Sequence, residues 1–419
     1  MFDSPFRLIV LHSLTILALC CTSYSFAETN NNDFSISGFG TLGIVHNDTR
    51  QVDVIRDLSQ NNGVGYTRQT DVGMDSNLGL QVDGRLSDTL DGAIQVISRR
   101  NPDQFRPQLS WAYLRYLPND DLSIRTGRLG FDVYMLADSK NVGYSYIWIR
   151  PPIDFFGSLI VSYFDGADAK LSRNIDDGKV TLKFYGGITR EKIETGNLNQ
   201  ILSLAGSKLL GGHIEFEEDH WAIRASYSAL KIANEYPRLT STLARLQSPD
   251  YQIFIPNGAV IANQLSLKEK IVRYASLGIV YGNGPFLGQF MLNDIHSDSL
   301  IIPHSIAAFL TLSYRIRKWT PYTSLSAARP IDGSTQLAIS PDMPQAVSTL
   351  ITRINRRVIG QENSQTSLSY GIRYDVTNGS NIKIQIDHIR NDDHLLVRKV
   401  QPGWNGHANL ISAAYNFIF

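Results

Sequence analysis

The segment Ala408-Asn409-Leu410-Ile411-Ser412-Ala413-Ala414-Tyr415-Asn416-Phe417-Ile418-Phe419 sets a row of Ile411, Ala413, Tyr415, Phe417 and Phe419 against polar Asn409, Ser412 and Asn416. Successive residues of a strand point to opposite faces. A period of two with one wholly apolar row therefore predicts a strand lying between hydrocarbon and a wetter interior. The competing reading is a terminal strand of a soluble β-domain, in which an unprotected Tyr415-Asn416-Phe417-Ile418-Phe419 ending would be unusual.

The same grammar extends outward from this segment. Leu368, Tyr370, Ile372, Tyr374 and Val376 alternate with Ser369, Gly371, Arg373 and Asp375, and Ile382, Ile384 and Ile386 alternate with Lys383, Gln385 and Asp387, so charge occupies one row only. Near the start, Phe34, Ile36, Leu42 and Ile44 share a face. Tight turns are predicted at 87–91, 118–121, 176–178, 217–219, 283–285, 317–318 and 377–380. Long polar connections, at 47–75, 100–108, 129–157, 189–210, 231–270, 295–305, 328–365 and 391–407, fall at the opposite strand ends. Short turns at one end, long loops at the other and an even strand count predict an all-β fold, a transmembrane antiparallel β-barrel of sixteen strands with both termini on the short-turn side. A hairpin around 251–255 would raise the count to eighteen.

At the N-terminus, Arg7 precedes an apolar run over 8–21, followed by Ser25 and Ala27 at an A-x-A-like site and the polar Glu28-Thr29-Asn30. This predicts a secretory signal peptide over 1–27 and a mature barrel over 28–419. Cys20 and Cys21, the two cysteines of the sequence, lie inside the signal segment, so neither disulfides nor thiolate metal sites are expected in the mature chain. No later stretch approaches the roughly 18 apolar residues of a membrane helix. The 39 basic and 39 acidic residues balance, which argues against nucleic acid as a partner. There is no nucleophile elbow, no paired zinc-binding histidine motif and no phosphate-binding glycine-rich lysine loop. His213, His220, His296, His304, His388, His394 and His407 lack metal-like spacing and are expected in loops or at the rim. No cofactor and no enzymatic activity are expected.

Three segments carry a family resemblance: Gly38-Phe39-Gly40-Thr41-Leu42-Gly43, Ile124-Arg125-Thr126-Gly127-Arg128 and Tyr415-Asn416-Phe417-Ile418-Phe419. Together with the turn pattern they resemble the Gram-negative outer-membrane porin superfamily. The stretch from Gly127-Arg128-Leu129-Gly130-Phe131 to Trp148-Ile149-Arg150-Pro151-Pro152 is similar to a little-characterised porin-like subgroup, and it lacks the Pro-Glu-Phe-Gly-Gly segment of the best-known members. The resemblance implies residence in the outer membrane among lipids and lipopolysaccharide, and a homotrimer. It also implies passive diffusion of small hydrophilic solutes and ions, with the third loop (129–157) folded inward as the constriction.

Parity predicts Arg85, Arg99, Arg115 and Arg125 on the lumen faces of four adjacent strands, with Arg128 next to them. The third loop then offers Asp132, Asp138, Lys140, Arg150 and Asp154 opposite, and a transverse field across an eyelet follows. In the seventh loop, Ala346, Val347, Leu350, Ile351, Ile354 and Val358 fall at helical spacing beside Arg353, Arg356 and Arg357, which predicts a helix on the barrel rim. Tyr322, Trp319, Trp221, Tyr314 and Phe216 are expected in interfacial girdles. A substrate-specific channel, and a structural or adhesive barrel acting through its long loops, are the rival functions.

Overall fold

The computed structural model describes residues 33–100, 104–137, 139–159, 161–194, 201–331, 337–359, 364–392 and 396–419. The predicted signal segment and Asp138 lie outside them. Among the described residues, sixteen strands of nine to fourteen residues form one antiparallel sheet. In chain order these are β1 (Phe34–Asn47), β2 (Asn77–Arg85), β3 (Leu90–Arg100), β4 (Phe105–Tyr116), β5 (Leu122–Gly130), β6 (Tyr163–Ile175), β7 (Gly178–Thr189) and β8 (Ser207–Glu217). They continue with β9 (Trp221–Lys231), β10 (Ile271–Asn283), β11 (Phe286–Ser297), β12 (Ser305–Tyr314), β13 (Trp319–Pro330), β14 (Gln365–Thr377), β15 (Ser380–Asn391) and β16 (His407–Ile418). Each strand pairs with its neighbours in sequence, and β1 pairs with both β2 and β16, which closes the ring. Tilted strands of this length cross a hydrocarbon layer.

Alternation places apolar side chains outside and polar ones inside. Along β1, Leu42 is 65% exposed on the outer face, whereas Phe39 and Thr41 on the lumen face are buried. The closing strand follows the opening segment, with Tyr415, Phe417 and Phe419 stacked in sequence on the outer face. Gly38 and Gly40 leave the room their rings occupy, since a Cβ would lie 2.3 Å from the Phe419 ring at Gly38 and 2.4 Å from Phe417 at Gly40. Backbone bonds of 2.9 and 3.0 Å tie Gly38 to Phe419. Asn409 departs from the expected polar row: it shares the outward register of Ile411, opposite His388, whose ring nitrogen is 2.6 Å from its side-chain oxygen.

The turns fall where the sequence puts them, and the eighteen-strand alternative is excluded. Residues 251–255 border not a hairpin but a helical cluster on the fifth loop, α2 (Pro237–Gln247), α3 (Pro249–Gln252) and α4 (Gly258–Leu265); α1 is the one-turn helix Ile153–Phe156 of the third loop. The seventh loop forms α5 (Gln345–Ile359), with Val347, Leu350, Ile351 and Ile354 buried against the barrel. Trp221 packs against Tyr281 and Trp319 against Tyr374, each pair tilted, on the outer face near the short turns, as a girdle requires. Tyr322 does not belong to that girdle. It is buried in the lumen, and its hydroxyl donates to Gln385.

Candidate pore and constriction

The third loop, residues 131–162, leaves the long-loop end of β5 and runs the full depth of the bore. At its lowest point the Tyr144 hydroxyl donates to the carbonyl of Asn378, in the short turn between β14 and β15 (2.6 Å). Gly143 is forced by this path, because a Cβ there would lie 2.3 Å from Asn416 Oδ1 and 2.4 Å from Thr41 Oγ1 on the facing wall.

Side chains of the wall hold the loop by its backbone. Lys383 Nζ donates to the carbonyls of Gly143 (2.6 Å), Tyr146 (2.5 Å) and Trp148 (2.8 Å). Arg373 donates to those of Tyr144 and Tyr146, and Gln385 accepts from the Ile149 amide. Further round, Trp148 Nε1 donates to Thr311 on β12, and Ser276 on β10 donates to the Val133 carbonyl. Between these anchors an apolar core fills the centre of the barrel, where Tyr134 packs edge-to-face with Phe155 and Phe156, and Trp148 and Phe155 pack edge-to-face with Phe309. Contacts of the loop thus run along the wall from β7 through β16 to β1.

The expected eyelet charges take a different arrangement from the one parity alone implies. Arg115 pairs with Asp91 (2.7 Å) and Arg125 with Asp168 (2.5 Å), in each case a carboxylate on the adjacent strand rather than one on the loop. Arg125 also lies over the Tyr113 ring. Arg85 is exposed at the short-turn end beside Asp88. Arg128 falls on the outward register, paired with Asp165 and stacked 4.0 Å over Tyr163. The loop acids face the far wall: Asp132 is held by Lys183 and Arg224 at 2.7 Å each. Burial alone would raise the Asp132 carboxyl, but these two cations keep it well below the usual carboxylate range. Arg150 bridges Asp75 (2.6 Å) and Asp387 (2.9 Å). Asp154 is fully buried, has no cation beside it among the described residues and accepts from Ser326, and burial pushes its carboxyl up. Desolvated charges like these persist only when paired or hydrogen-bonded.

Arg99 and Lys140 do come together, on the one side of the bore that the loop leaves less filled. They line a cavity of about 450 Å³ between β3, β4 and the loop. Below it, Gln81, Asp83, Asp91, Arg115 and Arg125 keep partial exposure on the lumen side of β2–β5. His213 also departs from expectation, lying not at the rim but on the inner wall of β8, 3.7 Å from Asp132. The anchors Lys383, Gln385, Asp387, Lys183 and Arg224 were visible as polar residues in inward rows. Only their partners on the loop were hidden.

No family model matches the chain, and no curated protein matches it. Solved structures do. In vitro folded OmpT, an outer membrane protein of Vibrio cholerae, superposes with a TM-score of 0.53 at 11% identity, covering 94% of this chain and 100% of that one. The chain has the porin fold. An anion-selective porin from Comamonas acidovorans (TM-score 0.52, 10% identity, 92% and 99% coverage) shares the porin fold with it, as does Salmonella typhi OmpF in complex with daunomycin (0.52, 11%, 92% and 97%). OmpT has also been solved in a trimer form, which matches at 0.52 and 11% identity over 93% of this chain and 100% of that one.

Proposed function

We propose that this protein is an outer-membrane porin, exported by a signal peptide over 1–27 and assembled as a homotrimer. In this reading small hydrophilic solutes and ions diffuse passively through its lumen, and the third loop sets the constriction. The observation that carries the reading is the closed sixteen-strand ring, wide enough for an aqueous bore, with a loop folded down its whole depth. The remaining path follows the β2–β5 wall past Arg99, Arg115, Arg125 and Lys140, while Asp132, Arg150 and Asp154 anchor the loop opposite. The trimer form of a matched structure supports the assembly. Lipid and lipopolysaccharide contact the apolar outer face, and no catalytic step is involved.

The reading is tested by swelling of liposomes containing refolded protein in a series of neutral sugars. Because the loop fills most of the bore, permeation is expected for the smallest sugars and a steep fall by the size of a disaccharide. Absence of swelling with every solute, for protein that retains its β-sheet circular dichroism, would overturn it. One observation favours a second reading, a structural barrel acting through its outer loops: the apolar core inside the lumen, with Trp148 and Phe155 each 1% exposed. The same null result in swelling would favour that alternative.

A further inference from the structure

The wall of the barrel is incomplete between β4 and β5. Their pairing runs only from Tyr116–Ile124 to Ala112–Arg128. Beyond it β4 stays with β3 as far as Phe105, and β5 turns away with β6 as far as Gly130. Two irregularities mark the divergence. Ser110 is bulged out of the β3–β4 register. Gly127 takes a φ of 132°, with a Cβ position only 2.3 Å from the Ala112 carbonyl oxygen, so no other residue fits there.

Lys140 and Asn141 of the third loop and Arg190, Glu191 and Lys192 of the fourth line this wedge around the cavity of about 450 Å³, which lies in the size range of small-molecule sites. Arg99, Arg106, Arg128, Lys140, Arg190 and Lys192 line it; among the described residues Glu191 is the one carboxylate of the lining, and Asp57 lies close enough to act on Arg99 and Lys140. Glu191 is already engaged, accepting from the Ser162 amide and hydroxyl at 2.7 Å each. Asp165 holds Arg128 and Arg190. Among the described residues no carboxylate stands within ion-pair distance of Arg99, Arg106, Lys140 or Lys192. Several lumen charges elsewhere are neutralised locally, in the Arg115–Asp91, Arg125–Asp168 and Asp75–Arg150–Asp387 pairs. Uncompensated like charges around a concave, low-dielectric space focus a positive potential. Guanidinium forks are matched to carboxylate and phosphate oxygens, and Trp111 and Tyr163 supply an apolar wall.

We propose that this cavity binds a small polyvalent oxyanion bearing carboxylate or phosphate groups. As a statement about permeant solutes this rests on the channel reading above; as a binding site it stands apart from it. The oxyanion has two sources, a soluble solute or the phosphate of a lipopolysaccharide head group entering past outward-facing Arg128.

The test is calorimetric titration of the refolded full chain with pyrophosphate. Saturable single-site binding is expected, weakened at least tenfold by Arg99→Gln and by Lys140→Gln, neither of which breaks an ion pair. Arg315→Gln, the same charge change near the short turns, is expected to leave binding unchanged. Repeating the titration in vesicles with and without lipopolysaccharide separates the sources: competition assigns the site to the head group, and unchanged affinity assigns it to a soluble anion. No saturable binding, or binding indifferent to both cavity variants, would overturn the proposal. Pyrophosphate binding without any conductance would remove the channel reading and leave the site, whereas conductance without binding would do the reverse.

Discussion

Arg150 and Lys140 belong to the same loop and experience opposite electrostatics. Arg150 is desolvated but shared between Asp75 and Asp387, so removing it strands two buried carboxylates, at a cost of about 3–5 kcal/mol. Lys140 has no such partner among the described residues. Burial, reinforced by nearby Arg99 and Arg56 and opposed by Glu191 and Asp57, pushes its ammonium from 10.5 down to about 8. The sign follows from linkage: the unfolded chain holds this proton more tightly, so the lysine costs stability below about pH 8, and that cost disappears as pH rises from about 8 towards 10.5. In the channel we propose, the preference for anions that a charged Lys140 would confer has the opposite course. The reversal potential in a salt gradient is expected to move away from anion preference as pH rises through about 8, and Lys140→Gln should flatten that change. A shift of equal size in the variant would assign the titration elsewhere. At this scale the sequence was half legible. Period-two parity placed Arg99, Arg115 and Arg125 on the lumen face, because a strand's faces are fixed by its backbone. It could not identify their partners, since Asp168 and Asp91 depend on register across strands. Arg128 sits one residue out of phase with Arg125 and therefore faces outward.

The strands were readable as elements because each turn restarts the alternation, and the helical spacing of Val347, Leu350, Ile351 and Ile354 announced α5. The third loop was not readable in the same way. Loops ordinarily run over the surface, yet this one carries Phe131, Tyr134, Met135, Trp148, Ile149 and Phe155, an apolar content that only an interior location satisfies. The complementary signal lay in the strands, where Phe309 and Tyr322 interrupt otherwise small or polar inward rows. Neither half is informative until the ring is closed around the loop. Gly143 marks how tightly they fit. Gly143→Val would drive its side chain into the Thr41–Asn416 hydrogen bond, itself 2.9 Å long. Limited proteolysis of the refolded variant is expected to cut within residues 131–162 at least tenfold faster than in the unaltered protein, with the barrel left intact. An unchanged cleavage rate would mean that the loop tip tolerates displacement from the wall.

For the whole molecule, the alternation that decides the fold also explains how the ring closes. The aromatic row of β16 lies on the glycines of β1, and sixteen strands then enclose more space than side chains of the wall can fill. The third loop takes up most of that space. Polar groups of the wall grip its backbone from β10 round to β15. In the channel we propose, the charged side opposite is left for solutes, and loop placement, not ring size, sets the conductance. Single-channel recording of the refolded protein beside its Arg150→Ala variant tests this most directly. Small, stable ohmic steps are expected for the unaltered chain, and steps severalfold larger for the variant, whose loop has lost its link to Asp75 and Asp387. Equal steps in the two proteins, or no steps in either, would contradict a lumen constricted by the third loop.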